Sequence, residues 1–357
     1  MYSGISGLMS PNMHTLVRDG RNFIYEDVER FFVPLIAEFR TTEYHAVVIE
    51  DENIGQDKEE ENTEESPQFL EAEIDNVNTQ DIQNSADSVA ASGIIPATEK
   101  KEVINHLKLQ EFDYLRQNFF QVDNTTTIGS DQLDATQLLS KDMTIKKDVE
   151  GPQILIYHTH SQEAYKDSVP GDASMTVVGV GDYLEKLLEE NYGIQVLHHK
   201  GQYDVQSRDN AYSKALPDIE KILKENPTIE VVIDLHRDGV PEDRHLVTEI
   251  NGKPTAQIMF FNGLSRTTFQ GELTYLPNPH IADNLALSFQ MQLAAAEYYP
   301  GFARKIYLKG YRYNMHLCPK SMLIEVGAQT NTFEEAKNSM EPLTDILAKV
   351  LYNGIYK

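Results

Sequence analysis

Three stretches of this chain each end an apolar run on groups that bind metals or move protons. The first is Gln153-Ile-Leu-Ile-Tyr-His-Thr-His-Ser-Gln-Glu163, in which two histidines are followed by a carboxylate. The second is Ile229-Glu-Val-Val-Ile-Asp-Leu-His-Arg-Asp238, and the third is Met322-Leu-Ile-Glu-Val-Gly327. A short apolar run reads as a buried strand, and open α/β sheets bind ligands at the carboxyl ends of their strands. His160, Glu163 and His236 then meet the three-ligand quota of a catalytic zinc site that keeps a fourth position open. His158 competes with His160; the latter is preferred because it lies three residues from Glu163. Glu325 is the carboxylate that could take a proton from water and pass it on. Asp234 and Asp238 are placed to orient a ligand histidine, and Arg208, Arg237 and Arg312 to hold an anionic substrate group or an oxyanion. His198 and His199 have no carboxylate nearby in sequence and read as surface or structural residues, and His280 as a helix cap.

The elements that must carry these residues follow from the surrounding pattern. Strands are expected at 153–158, 194–198, 229–235, 255–262, 304–308 and 321–326, and helices near 175–191, 209–225, 280–299 and 332–352. Asn251-Gly252 between two short apolar runs marks a β-hairpin, while Pro227 and Pro300 each end a helix just before a strand. The alternation predicts an α/β fold, with a twisted, mixed, mainly parallel sheet of about six strands and helices on both faces.

The chain divides by composition. Of the net charge of −25, residues 151–357 carry −7 (26 acidic, 19 basic), which leaves −18 on residues 1–150. Glu50 to Asp75 alone holds twelve acidic residues and one lysine. Such a segment buries too little apolar surface to offset its ordering entropy. The expected organisation is a partly helical N-terminal segment (1–49), a disordered acidic linker (50–100), a helical lead-in that packs on the catalytic domain (101–150), and the catalytic domain itself (151–357). The acidity disfavours nucleic acid or an anionic membrane surface as partner. No apolar run approaches the ~18 residues of a membrane span, and no signal peptide is visible. The single cysteine, Cys318, excludes an internal disulfide and a cysteine-based metal cluster.

Five motifs in order, His158-Thr-His-Ser-x-Glu-x-Tyr165, Asp234-Leu-His-Arg-Asp238, Phe261-Asn-Gly-Leu-Ser265, Tyr311-Arg-Tyr-Asn314 and Leu323-Ile-Glu-Val-Gly-Ala-Gln-Thr-Asn-Thr332, resemble the stage II sporulation protein P family. The resemblance covers about 101 to 357. It implies a zinc N-acetylmuramoyl-L-alanine amidase-like peptidoglycan hydrolase, with endopeptidase action on cross-links also implied. Matched residue by residue, His160, Glu163 and His236 correspond to the metal ligands and Glu325 to the catalytic glutamate. The resemblance further implies work during endospore engulfment, outside the cytoplasm in the envelope of the mother cell. The implied partner is stage II sporulation protein D, a lytic transglycosylase, and the implied membrane attachment uses an anchor that this sequence does not show. Met315 stands where the family pattern leads one to expect glutamine. The same order of ligands and base also suits a zinc carboxypeptidase-type peptidase, and the non-enzymatic alternative is a silent wall-binding scaffold.

Overall fold

The structure is a computed structural model that describes residues 99–206, 208 and 210–356. The expectations for residues 1–49 and for nearly all of the acidic linker lie outside the described residues. In chain order the elements are α1 (Phe112–Phe119), β1 (Phe120–Val122), α2 (Ala135–Ser140), β2 (Ile154–Tyr157), α3 (Val177–Tyr192), β3 (Val196–His198), α4 (Ala211–Glu225) and β4 (Val231–Asp238). They continue with β5 (Val247–Ile250), β6 (Lys253–Ala256), β7 (Ile258–Gly263), β8 (Arg266–Thr267), β9 (Gly271–Glu272), α5 (Ile281–Tyr298), β10 (Ile306–Lys309), β11 (Ser321–Ala328), α6 (Phe333–Asn338) and α7 (Met340–Leu347), then a π-helical turn at Ala348–Tyr352.

Seven strands form one sheet in the order β1-β10-β7-β11-β4-β2-β3. Every neighbouring pair is parallel except β7 and β11, so two parallel blocks run in opposite directions and meet there. The α/β class and the largely parallel sheet agree with the sequence reading. The seventh strand, β1, comes from the lead-in. Phe119 and Phe120 fit a helical apolar face, yet the helix stops between them and Phe120 pairs with Ile306 at the sheet edge. The strand expected at 255–262 is two: β6 closes a hairpin with β5, and after Gln257 β7 enters the main sheet. Asn251 and Gly252 both have positive φ (53° and 76°), the conformation a tight hairpin turn demands.

Side-chain alternation sorts the sheet into two unlike faces. Ile154, Ile156, Val231, Ile233, Leu235, Ile258, Phe260, Met322, Ile324 and Val326 join the main core, with α3, α5 and α7. The opposite face is thinner. There Leu155, Tyr157 and Val232 pack against Ala211, Ala215 and Ile219 of α4, and Phe261 and Leu323 pack with Tyr313 and Met315. Helix α5 is buried almost throughout. Its Gln290 donates to the carbonyls of Leu138 and Lys141, tying the lead-in to the domain. At its far end, buried Glu297 pairs with Lys100 (2.8 Å) and accepts from the Tyr356 hydroxyl (2.8 Å).

Candidate active site

The order β11-β4-β2 is what assembles the candidate site. These three strands are adjacent and parallel, so their carboxyl ends lie side by side. On β4 the period of two puts Asp234, His236 and Asp238 on the thin face, with Leu235 turned into the main core. Glu325 of β11 is the register partner of His236. Strand β2 ends at Tyr157, and the turn after it separates its two histidines.

His158 continues the strand alternation toward the main core. Its ring is fully buried, with Nδ1 2.8 Å from the Leu235 carbonyl oxygen and Nε2 2.7 Å from His198 Nε2. It therefore lies on the opposite side of the sheet from His236. His160 is turned to the thin face. Its ring meets the His236 ring edge-on, with centroids 5.4 Å apart. Burial pushes His160 down to about 3, which keeps it a neutral imidazole able to donate a lone pair.

Glu163 is the best-held member of the site. Its Oε1 accepts from Arg208 Nη2 at 3.0 Å and its Oε2 from the Arg237 amide at 2.9 Å, while Oε2 also lies 3.3 Å from His236 Nδ1. Burial alone would raise this carboxyl, but His236, Arg237 and Arg208 outweigh it and hold it well below the usual carboxylate range. His236 Nε2 is 2.7 Å from Asp234 Oδ1. Burial opposes charge on His236, and the Asp234 and Glu163 carboxylates overcome it. Asp234 is fixed in turn by the Thr159 amide (2.9 Å) and hydroxyl (2.5 Å).

Glu325 is different. It is buried, its Oε2 makes no hydrogen bond, and Asp238 and Glu163 add negative potential. Burial first, then Asp238, pushes its carboxyl up to about 8. Arg304 pairs with Asp238 at 2.6 Å and tempers that field. Past Glu325 the pairing with β4 shifts register, and Gly327 takes φ +62°. A Cβ there would lie 2.7 Å from Asn331 Oδ1 and 2.9 Å from Ala256 Cβ, so the glycine of this motif serves a backbone bend and a close approach. Asn331 locks the bend by accepting from the Ala328 amide and donating to the Leu246 carbonyl. Thr332 and Glu335 then close a capping box on α6.

Several contributors were not singled out from the sequence. Asp204, buried in the loop before α4, accepts from Ser161 Oγ (3.0 Å) and the Gln162 amide (3.1 Å), and lies 3.9 Å from His160 Nδ1. Tyr212 stacks parallel to the His236 ring at 6.5 Å and meets His160 edge-on at 5.8 Å. Tyr313 closes on Tyr212 at 5.4 Å, giving the site an aromatic wall. Arg304 supports Asp238, as above. Tyr313 lies in the Tyr311–Asn314 motif, but nothing in local spacing flags Asp204, Tyr212 or Arg304, which reach the site only through the fold.

Other expectations change. The Arg237 side chain turns back to the Ala164 carbonyl, and it is its amide that serves Glu163. Arg312 reaches toward the Pro277 carbonyl, at 3.5 Å. Met315 is buried among Phe261, Tyr313 and Leu323, which makes it a packing position. His280 sits at the start of α5, but its side chain makes no cap; Asn278 accepts from its amide instead. His198 is not remote from carboxylates: Asp182 and Glu185 approach it from α3.

The donor set suits zinc in type, with two imidazoles and one carboxylate. The 3.3 Å between His236 Nδ1 and Glu163 Oε2 matches the edge of a tetrahedron with ~2.0 Å bonds. His160 stands further off. Among the described residues, the group that brings three donor atoms within 4.8 Å of one another is Asp182, Glu185 and His198. Closing the His160 corner therefore takes a shift of its imidazole toward the Glu163–His236 pair.

Comparison with known proteins identifies the family by sequence. The family model described as Stage II sporulation protein P (SpoIIP) matches residues 29–348. The Stage II sporulation protein P of Bacillus subtilis (strain 168) is 24% identical over 222 residues, covering 56% of this chain and 51% of that protein. The chain thus matches about half the length of this relative. Among solved structures, the catalytic domain of the N-acetylmuramoyl-L-alanine amidase CwlV from Bacillus (Paenibacillus) polymyxa is 10% identical, covering 55% of this chain and 97% of that one, with a TM-score of 0.31. An N-acetylmuramoyl-L-alanine amidase from Clostridium difficile 630 is 17% identical, covering 58% and 96%, with a TM-score of 0.33.

Proposed function

The chain belongs to the stage II sporulation protein P family, and from that premise we propose that it is a zinc-dependent peptidoglycan hydrolase of sporulation. The bond cut is the amide between N-acetylmuramic acid and L-alanine, with peptide cross-links as a second substrate. Its place of work is the cell envelope, on the family expectation, with the lytic transglycosylase as partner. Among the described residues no helix is long and apolar enough to cross a membrane.

One juxtaposition carries the reading: a buried carboxyl, Glu325, stands in register with His236, which itself faces Glu163 at 3.3 Å. His160, Glu163 and His236 would hold the metal. Zinc bound there supplies a Lewis acid for the scissile carbonyl and a lowered pKa for water. The protein's residues do the rest. Arg208 and the Arg237 amide keep Glu163 ionised and aimed. The Asp234 carboxylate lies 2.7 Å from His236 Nε2, with Nδ1 toward Glu163. Glu325, held near 8 by burial, is depressed by any cation added beside it, so it can take a proton from the attacking water and then give it to the leaving nitrogen. Tyr212, half-buried beside His160 and His236 and backed by buried Tyr313, offers flat apolar surface against which sugar or peptide can lie.

The test is digestion of purified muropeptides by the zinc-loaded chain, with products read by mass spectrometry. Release of stem peptides with a free N-terminal L-alanine is expected, and Glu325→Gln should abolish it while keeping the metal. Trimming of a C-terminally free dipeptide with muropeptides untouched would instead establish the carboxypeptidase alternative. No bound zinc after reconstitution, with muropeptides left uncleaved by the wild-type chain, would favour the scaffold.

A further inference from the structure

The opposite face of the same sheet carries a second cluster of donor groups. Asp182 and Glu185 lie one turn apart on α3, and His198 ends the edge strand β3 beneath them. His198 Nδ1 is 2.9 Å from Asp182 Oδ1 and 3.5 Å from Glu185 Oε2. The imidazole is almost wholly buried (1% of its side chain exposed), while the carboxylates open to solvent.

The hydrogen bonds behind this ring constrain its protons. A carbonyl only accepts, so His158 Nδ1 must carry the proton that faces the Leu235 oxygen, 2.8 Å away. Neutral His158 then presents a lone pair at Nε2, 2.7 Å from His198 Nε2. For that contact to be a bond, the proton has to sit on His198 Nε2. A neutral His198 is thereby left with a lone pair on Nδ1, pointing at two carboxylates. A lone pair facing two carboxylates calls for positive charge, which a proton on Nδ1 (2.9 Å from Asp182 Oδ1), the Lys200 ammonium or a bound divalent ion can each supply. The fold also makes room for the imidazole pair: a Cβ on Gly181 would fall 2.8 Å from His198 Nε2 and 3.1 Å from His158 Cε1.

The geometry points to a second divalent-cation site, built from Asp182, Glu185 and His198 Nδ1 on the face of the sheet away from Glu325. A carboxylate pair with one imidazole suits zinc or manganese, water completing the shell. The ion would clamp α3 to the edge strand and fix the tautomer of the His158–His198 pair. The present occupant is partly Lys200, whose Nζ lies 2.5 Å from Asp182 Oδ1; half of that side chain is exposed and it can swing away. This inference does not rest on the proposed catalysis.

Metal content by mass spectrometry, after equilibration of the full chain with zinc and removal of free ion, tests it. A His160→Ala/His236→Ala variant should retain one zinc per chain. Adding Asp182→Asn/Glu185→Gln to it should abolish that zinc, weakening affinity beyond the roughly 10–100-fold that loss of an outer-sphere partner costs. Circular dichroism checks that each variant is folded. Retention of the same zinc with both carboxylates neutralised, or no zinc in the His160→Ala/His236→Ala protein, overturns the second site. Wild type and His160→Ala/His236→Ala binding equal amounts, with the loss confined to Asp182→Asn/Glu185→Gln, would overturn the catalytic zinc and leave this site standing.

Discussion

Glu325→Gln should make the metal-depleted protein more stable at alkaline pH even as it removes hydrolysis. Burial raises the Glu325 carboxyl from its ordinary 4.5 to about 8, so the fold favours the protonated acid. Below pH 4.5 the carboxyl is neutral in both folded and unfolded chains, and the shift affects nothing. As pH rises from 4.5 to 8 the unfolded chain ionises while the folded one holds its proton, so folding loses free energy. Above 8 the loss is constant. The gap between 4.5 and about 8 sets an upper bound of about 5 kcal/mol, at about 1.4 kcal/mol per pH unit. Glutamine keeps the shape without ionising and escapes this loss. A gain of about 2–5 kcal/mol is expected at pH 9, which for a domain of this size raises the melting temperature by at least ~4 °C. Scanning calorimetry of both metal-depleted proteins from pH 4 to 9 measures it. A difference that does not grow between pH 4.5 and 8, or a variant less stable throughout, would refute the idea of a buried, strained carboxyl. Activity loss without this stability gain would mean that Glu325 is solvated.

The two neighbouring histidines should fail in different ways. His160→Ala should lose zinc and hydrolysis with little change in melting, whereas His158→Ala, which empties a buried position and orphans the Leu235 carbonyl, should cost about 2–4 kcal/mol in denaturant unfolding. Asp204→Asn should lower zinc affinity roughly 10–100-fold by freeing the turn that aims His160, read by competition with a chromogenic chelator. Gly327→Ala, forced to φ +62° against Asn331 and Ala256, should destabilise the fold by about 1–3 kcal/mol in thermal melts.

Much of the architecture was legible because the site residues sit at the ends of strands. The apolar runs before His158, His236 and Glu325 announced buried parallel strands, and period-two alternation then decided which of Asp234, Leu235 and His236 share a face. What local sequence could not carry is tertiary. Asp204 and Tyr212 come from the loop and helix after β3, and Arg304 from the approach to β10. Asp182 and Glu185 look like an ordinary solvated helix face until His198 arrives under them. The boundary at Phe119–Phe120 was lost for a related reason: a helix and a strand joined without a gap present one unbroken apolar pattern. His158 and His160 were separable only through the turn at Thr159, which gives one imidazole to each face.

Strand β11 is the last of the described strands in sequence, yet it occupies the middle of the sheet. Before it is in place the other six fall into two unconnected three-stranded pieces, β1-β10-β7 and β4-β2-β3. Chain synthesis therefore delivers both halves of the molecule before the element that joins them. Because β11 also brings Glu325, the step that completes the sheet is the step that completes the candidate site. A chain cut before β11 would hold His160, Glu163 and His236 without Glu325, and under the proposed function should not hydrolyse peptidoglycan.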